Sequence, residues 1–287
     1  MTPQPTFAFI PGGSSNAQAW GPLQNELALL GHRSYAIDLP GHGSSADRPA
    51  EYHRSPQDLK ALAVAPSPMK GISLDDNVRH VVGIVSRLAA HGPVVLVANS
   101  FGGITLSAVG NAVPELLHRI VYISAACPTG FTTPDEELHP AEHDGNLLDA
   151  AVAKIAVGDI AAQGFARFNW RAAHGDPALF AELKAAVMAD GTDAQYRALL
   201  DGMDPDESYD VLGPDSVIRA DRWGRVPHTY LRLTEDRSIP LHVQDRMIEE
   251  ADQVTPDNPF DVRSLAASHV GYFSRPREFA EILAGLR

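Results

Sequence analysis

Four apolar residues, Val94-Val95-Leu96-Val97, run directly into Ala98-Asn99-Ser100-Phe101-Gly102-Gly103, and a helix-like stretch from Ile104 to Asn111 follows. A short apolar run bounded by small residues reads as a buried strand. A serine at the corner between such a strand and a helix has the layout of a nucleophile elbow, where a strained turn lifts one hydroxyl out of the top of a sheet. Gly102 supplies the small residue that the crowded turn needs. The first small position, usually glycine, is Ala98. The bare pattern Ala-x-Ser-x-Gly is therefore degenerate, and a serine in an ordinary turn is the competing reading.

A serine nucleophile needs a base, and the base needs an orienting carboxylate. On this architecture they follow the serine in the order acid, then histidine. Thr229-Tyr230-Leu231-Arg232-Leu233-Thr234 is a β-rich run that ends at Glu235-Asp236-Arg237-Ser238-Ile239-Pro240. Asp236 thus stands just past the expected strand, with Glu235 as its nearest rival. Val262 to Ala266 reads as a short strand leading into Ala267-Ser268-His269-Val270-Gly271. Ser100, Asp236 and His269 at three strand ends, in the expected order, are a stronger signal than any one of them. Near neutral pH a histidine can accept the serine proton, because its unperturbed pKa lies in that range.

Strand patterns fall near 7–10, 34–38, 94–98, 120–124, 228–233 and 260–266. Helical patterns fall at 20–30, 74–90, 103–112, 241–251 and 277–286. This alternation implies an α/β fold, a mostly parallel central sheet with helices on both faces. Binding sites in such sheets lie at the carboxyl ends of the strands, where the elbow and its two partners fall. Ser73, ahead of Leu74-Asp75-Asp76, reads as a helix N-cap with acids in the first turn.

At this point the chain resembles an α/β-hydrolase of the group that holds plant methylesterases and the related hydroxynitrile lyases. The matching segments are Phe7-Ala8-Phe9-Ile10-Pro11-Gly12-Gly13, Trp20 through Asp38, Val94 to Leu106, Thr234 to Pro240 and the His269 region. The resemblance implies that Ser100 is the nucleophile, Asp236 the orienting acid and His269 the base. It implies an oxyanion hole made by the backbone N–H groups of Gly13 and Phe101, with Ser14 beside them touching substrate. It implies no metal and no cofactor. The hydroxynitrile lyases carry a lysine directly after the catalytic histidine and a threonine in the first loop. Here those positions are Val270 and Gly12, so ester hydrolysis is the better reading of the resemblance. Pro11 and Asn99 stand where the group usually has histidine.

The resemblance is loose from Thr129 to Arg225. A core of 1–129 and 226–287 with a helical cap insertion, 130–225, is the expected organisation. Helical patterns at 147–157, 160–173, 177–189 and 194–200 belong to that cap. Phe165, Phe168, Trp170, Met188, Met203 and Trp223 are candidates to line an apolar pocket, against the blander reading that they are cap core. Arg167 and Arg171, four apart, would share a solvated helix face. Asp204 and Asp206 read as turn and cap residues rather than metal ligands, since no His or Cys accompanies them. A Pro- and Ser-rich stretch, Gly41 to Gly71, leaves a strand end and is expected to line the pocket mouth. His42 and His53 within it read as loop histidines.

With a net charge of −13 and no basic patch, the chain offers nothing to neutralise nucleic-acid phosphates. No run approaches the roughly 20 apolar residues of a membrane span. The single cysteine, Cys127, reads as a buried structural residue, and the early first strand leaves no room for a signal peptide. A cytoplasmic enzyme is the expectation. Its partner is a small-molecule ester, and a homodimer is admitted. The expected function is a serine carboxylic-ester hydrolase working through an acyl-enzyme on a methyl ester, aryl ester or lactone. A cyanohydrin-type carbon–carbon lyase, an acyl transferase or thioesterase, and a non-catalytic binding protein are the alternatives.

Overall fold

Runs of Val, Ile and Phe without polar alternation are stable only between two covering layers. β1 (Thr6–Ile10), β3 (Val94–Ser100), β4 (Arg119–Ala125) and β7 (His228–Leu233) are such runs and occupy the middle of a six-stranded sheet. The more exposed β2 (Arg33–Ala36) and β8 (Asp261–Leu265) form its edges. The order is β2-β1-β3-β4-β7-β8, and every neighbouring pair is parallel. The chain direction across the sheet reverses between β1 and β3, so a crevice opens at their carboxyl ends. The structure is a computed structural model that describes residues 4–130, 144–208 and 210–286.

Alternate strand residues feed opposite layers. Phe7, Phe9, Val95, Val97, Val121 and Ile123 pack with Trp20, α1 (Gly21–Leu29) and the C-terminal helix α7 (Pro276–Ala284). Ala8, Ile10, Leu96, Ala98, Ile120 and Tyr122 pack with α2 (Leu74–Ala89), α3 (Gly102–Ala112) and α6 (Leu241–Val254). Each fully buried side chain of this size contributes roughly 1.5–3 kcal/mol relative to an exposed one. The Ser73 N-cap is present, completed by Asp76 into a capping box.

The chain between β4 and β7 carries α4 (Pro177–Val187), α5 (Asp193–Gly202) and a two-stranded antiparallel ribbon, β5 (Phe165–Arg167) with β6 (Asp206–Ser208). Three expectations fail here. The stretch 160–173 is not one helix. Its helix stops after Gln163 because Gly164 takes the left-handed conformation, φ 79°, which ends helices, and β5 follows. Arg167 lies on that strand, not on a solvated helix face. It is 1% exposed, is held by both oxygens of Asp206 at 2.6 Å, and donates to the carbonyls of Leu62 and Ala65. Asp204 and Asp206 are therefore buried ion-pair partners, of Arg48 and Arg167, rather than turn residues.

Residues 211–225 leave the ribbon and pack on the core. Val211 and Leu212 meet Leu74 and Ile104, while Ile218 and Trp223 enter the layer beneath α3. The Gly41–Gly71 stretch forms short helices at Ala50–His53 and Leu59–Val64. It is bonded to the insertion through Arg167, a Gln57–Asn169 amide pair, and Arg171 on the Tyr52 carbonyl.

Candidate active site

Ser100 is the last residue of β3 and has φ 55°, a left-handed conformation that L-residues adopt only when surroundings impose it. The imposition is visible. A Cβ on Gly102 would lie 2.3 Å from the Pro11 carbonyl oxygen, and one on Gly103 would lie 2.0 Å from that of Ala126. The elbow is wedged between the exits of β1 and β4, and only residues without a Cβ fit behind the serine. The register slips where β3 ends, from Asn99 opposite Ile123 to Ser100 opposite Ala125. The residue passed over, Ser124, has φ 39°.

Asp236 follows β7 and is buried. Its Oδ1 accepts the N–H groups of Ser238 and Ile239 at 2.7 and 2.9 Å. Its Oδ2 accepts the Ser124 hydroxyl and His269 Nδ1, each at 2.6 Å. A carboxylate has room for about four such bonds, so it is saturated and fixed. With Nδ1 donating, the His269 tautomer leaves Nε2 as the acceptor. Glu235 is exposed and takes no part in this arrangement.

His269 is held from several sides. Asn99 Nδ2 donates to its carbonyl at 3.3 Å and to that of Ile123 at 2.8 Å, which ties the residue before the serine to the histidine. Val270 N–H donates to the Val187 carbonyl, and Ser268 N–H to Asp190, both at the carboxyl end of α4. Ser100 and His269 themselves are not joined by a hydrogen bond; the bond that the His269 ring makes is to Asp236. Nucleophile–base contacts are often loose without substrate and tighten when it binds.

The loop after β1 stands beside the elbow. A Cβ on Gly12 would lie 3.0 Å from Ser100 Cβ, and one on Gly13 would lie 3.6 Å from Phe101 Cβ. Phe101 is the cap residue of α3, where backbone N–H groups have no helical partner and carry partial positive charge. Ser14 is buried and also has positive φ, 53°.

The candidate pocket residues scatter. Trp223 is fully buried on the opposite face of the sheet, with its indole N–H on the Tyr122 hydroxyl; a large ring there fills core, so it does not line a pocket at the strand ends. Phe165 is buried under the Arg167 guanidinium, 5.0 Å from its ring. Trp170 and Met188 are buried in the layer that joins the insertion to the core, and Phe168 and Met203 flank it. The Trp170 indole N–H donates to the Asp204 carbonyl.

Sequence reasoning missed a charged pair at this site. His42, expected as a plain loop residue, is buried, and its Nε2 lies 3.2 Å from Glu207 Oε2. That same oxygen accepts the Ser14 N–H at 2.7 Å. The partners are 165 residues apart, and no local pattern announces them. Among the described residues no cluster of His, Cys, Asp and Glu is arranged to hold a metal, and no helix is long and apolar enough to cross a membrane. Cys127 is buried, and burial pushes its thiol well above the usual range.

Comparison with known proteins places the chain in a family. The alpha/beta hydrolase family model matches residues 7–282, so the chain belongs to that family. It is 23% identical to polyneuridine aldehyde esterase of Rauvolfia serpentina, over 98% of this chain and 94% of that protein. It is 22% identical to methylesterase 10 of Arabidopsis thaliana, over 96% and 90%. A solved pyrethroid hydrolase from Sphingobium faniae superposes with a TM-score of 0.71 at 21% identity, covering 98% of this chain and 96% of that one; at that identity the likeness speaks for the fold.

Proposed function

We propose that this member of the alpha/beta hydrolase family is a serine ester hydrolase acting on small or medium carboxylic esters. The observation that carries the reading is the buried Asp236–His269 bond of 2.6 Å, at the same end of the sheet as a serine held at positive φ where β3 finishes. The relatives supply the reaction class, since they are named as esterases and methylesterases.

His269 Nε2 takes the Ser100 proton as Oγ attacks the ester carbonyl. Asp236 keeps the imidazole in the tautomer that can do so, and stabilises the imidazolium that results. The tetrahedral oxyanion is received by the N–H groups of Gly13 and Phe101, worth about 100- to 1,000-fold in rate per donor in comparable sites. The imidazolium then protonates the leaving alkoxide, and the alcohol departs. Water, activated by His269, attacks the acyl-enzyme, and the acid is released with Ser100 regenerated.

The lyase alternative is weaker here. Val270, next to His269, is buried and its N–H is engaged by Val187, so no cation stands beside the base at that position. The test is pre-steady-state hydrolysis of a p-nitrophenyl ester. A stoichiometric burst of nitrophenol supports the acyl-enzyme, and a folded protein that turns over neither aryl nor methyl esters contradicts it.

A further inference from the structure

The backbone of Ser14 is gripped from both sides by the insertion. Its N–H donates to Glu207 Oε2 at 2.7 Å, and its carbonyl accepts the Asp204 N–H at 2.8 Å. Asp204 is fastened in turn, by the Asn16 side-chain amide at 2.9 Å, the Gly43 N–H at 2.8 Å and Arg48 at 2.9 Å. Ser14 needs such a grip, because φ 53° is a conformation that a residue with a Cβ leaves when released. One residue separates this grip from the elbow. The Cβ direction of Gly13 passes 3.7 Å from Glu207 Oε2 and 3.6 Å from Phe101 Cβ.

A carboxylate in this place carries an electrostatic cost. Negative charge builds on the substrate oxygen during acyl transfer, and a nearby anion opposes it. His42 answers that cost. Its Nε2 is 3.2 Å from the same oxygen, its Nδ1 is 3.3 Å from the Pro40 carbonyl, and the ring is buried. An imidazolium donating through both nitrogens satisfies both contacts.

We propose that Glu207 is a positioning residue of the oxyanion loop: by accepting the Ser14 N–H it holds the Gly12–Ser14 backbone so that the Gly13 N–H faces the developing oxyanion, with His42 as the counter-ion that allows a carboxylate to do this. The proposal rests on the acyl-transfer reading above. It makes the oxyanion hole complete only when the insertion is seated on the core. It also gives a role to the Glu207 side chain, which reaches from the ribbon to the loop after β1.

The test compares wild type with Glu207→Ala, Glu207→Gln and His42→Gln. The measurements are kcat and KM on p-nitrophenyl butyrate, and inhibition by a trifluoromethyl ketone and by the matched methyl ketone. The trifluoromethyl ketone forms the tetrahedral oxyanion on serine, whereas the methyl ketone occupies the site without it. Glu207→Ala is expected to lower kcat by about 100-fold, the scale of one oxyanion donor, with KM within about threefold. It should weaken the trifluoromethyl ketone by a similar factor and leave the methyl ketone unchanged. Glu207→Gln retains an acceptor for Ser14 and should recover at least about tenfold of the loss. His42→Gln should lower kcat, and adding Glu207→Gln to it should relieve part of that loss, since the unpaired charge is then gone.

A kcat for Glu207→Ala within threefold of wild type would overturn the proposal. So would equal weakening of both ketones, which marks a general loss of site structure. Should Glu207→Ala fail to fold, a folded His42→Gln with wild-type kcat and wild-type affinity for the trifluoromethyl ketone overturns it as well. If wild type forms no serine adduct with either the ester or the trifluoromethyl ketone, the acyl-transfer reading itself has failed and this proposal goes with it.

Discussion

The Ser124 hydroxyl donates to Asp236 Oδ2 at 2.6 Å, the same oxygen that receives His269 Nδ1. Ser124 sits where β4 gives up its register to β3, so the strand irregularity that accommodates the elbow also delivers a donor to the acid. A hydrogen bond to a charged group contributes about 1.5–3 kcal/mol. Ser124→Ala should therefore lower kcat/KM by roughly 10- to 100-fold while the protein stays folded. Steady-state kinetics beside a thermal melt check this, and an unchanged kcat/KM would show that the bond has no bearing on the base.

Asp236→Asn keeps the shape of the acid but presents the wrong donor to His269. By comparison with other triads it should cost about 10,000-fold in kcat. Glu235→Gln, at an exposed position, should change kcat by less than about twofold. A larger loss from Glu235→Gln than from Asp236→Asn would move the acid to Glu235.

The elbow's glycines make a stability prediction. Gly103→Ala would place a methyl 2.0 Å from the Ala126 carbonyl oxygen, where backbone cannot give way. A loss of about 1–3 kcal/mol or more is expected in urea unfolding. Gly83, exposed in the interior of α2 with nothing within 4 Å of its Cβ direction, should behave oppositely. Gly83→Ala should stabilise by about 0.5–1 kcal/mol.

The His42–Glu207 pair gives stability a pH dependence of known sign. Burial by itself lowers the His42 pKa, but the charge of Glu207, its hydrogen bond and the charge of Asp204 outweigh burial and push it up to about 9. Asp38 lies in the loop after β2; burial raises its carboxyl, but the N–H groups of Ser44 and Ala17, the Ser44 hydroxyl and, least of these, the charge of His42 outweigh burial and hold it below the ordinary value. Arg48 stands on the far side of Asp204. Because the folded value lies above the unfolded one, the stabilisation is complete below about pH 6.5 and fades as pH rises through about 9. Urea unfolding between pH 6 and pH 10 should show this decline in wild type and a flatter profile in His42→Gln. Parallel profiles would contradict it.

The sheet was legible because its strands are buried on both faces and spell that out locally. His228–Leu233 was bounded correctly, and the other strands to within about two residues of their ends. The order of Ser100, Asp236 and His269 was legible for the same reason, as each follows a recognisable strand. The ribbon β5–β6 was not. Its three-residue strands exist through the Arg167–Asp206 pair, 39 residues apart, and a window over 160–173 sees only helix-compatible residues around Gly164. Trp223 looked like a pocket aromatic because sequence cannot say which face of the sheet a returning loop will cover. Glu207 and His42 carry no local signal at all; their roles come from a contact made when the insertion lies down on the loop after β1.

The central claim is that Ser100 is an activated nucleophile. Intact-protein mass after treatment with a fluorophosphonate, comparing wild type with Ser100→Ala, tests it most directly. The account predicts one stoichiometric adduct on wild type and none on the variant. A folded wild type that gains no adduct, or a Ser100→Ala protein that gains the same one, would contradict it.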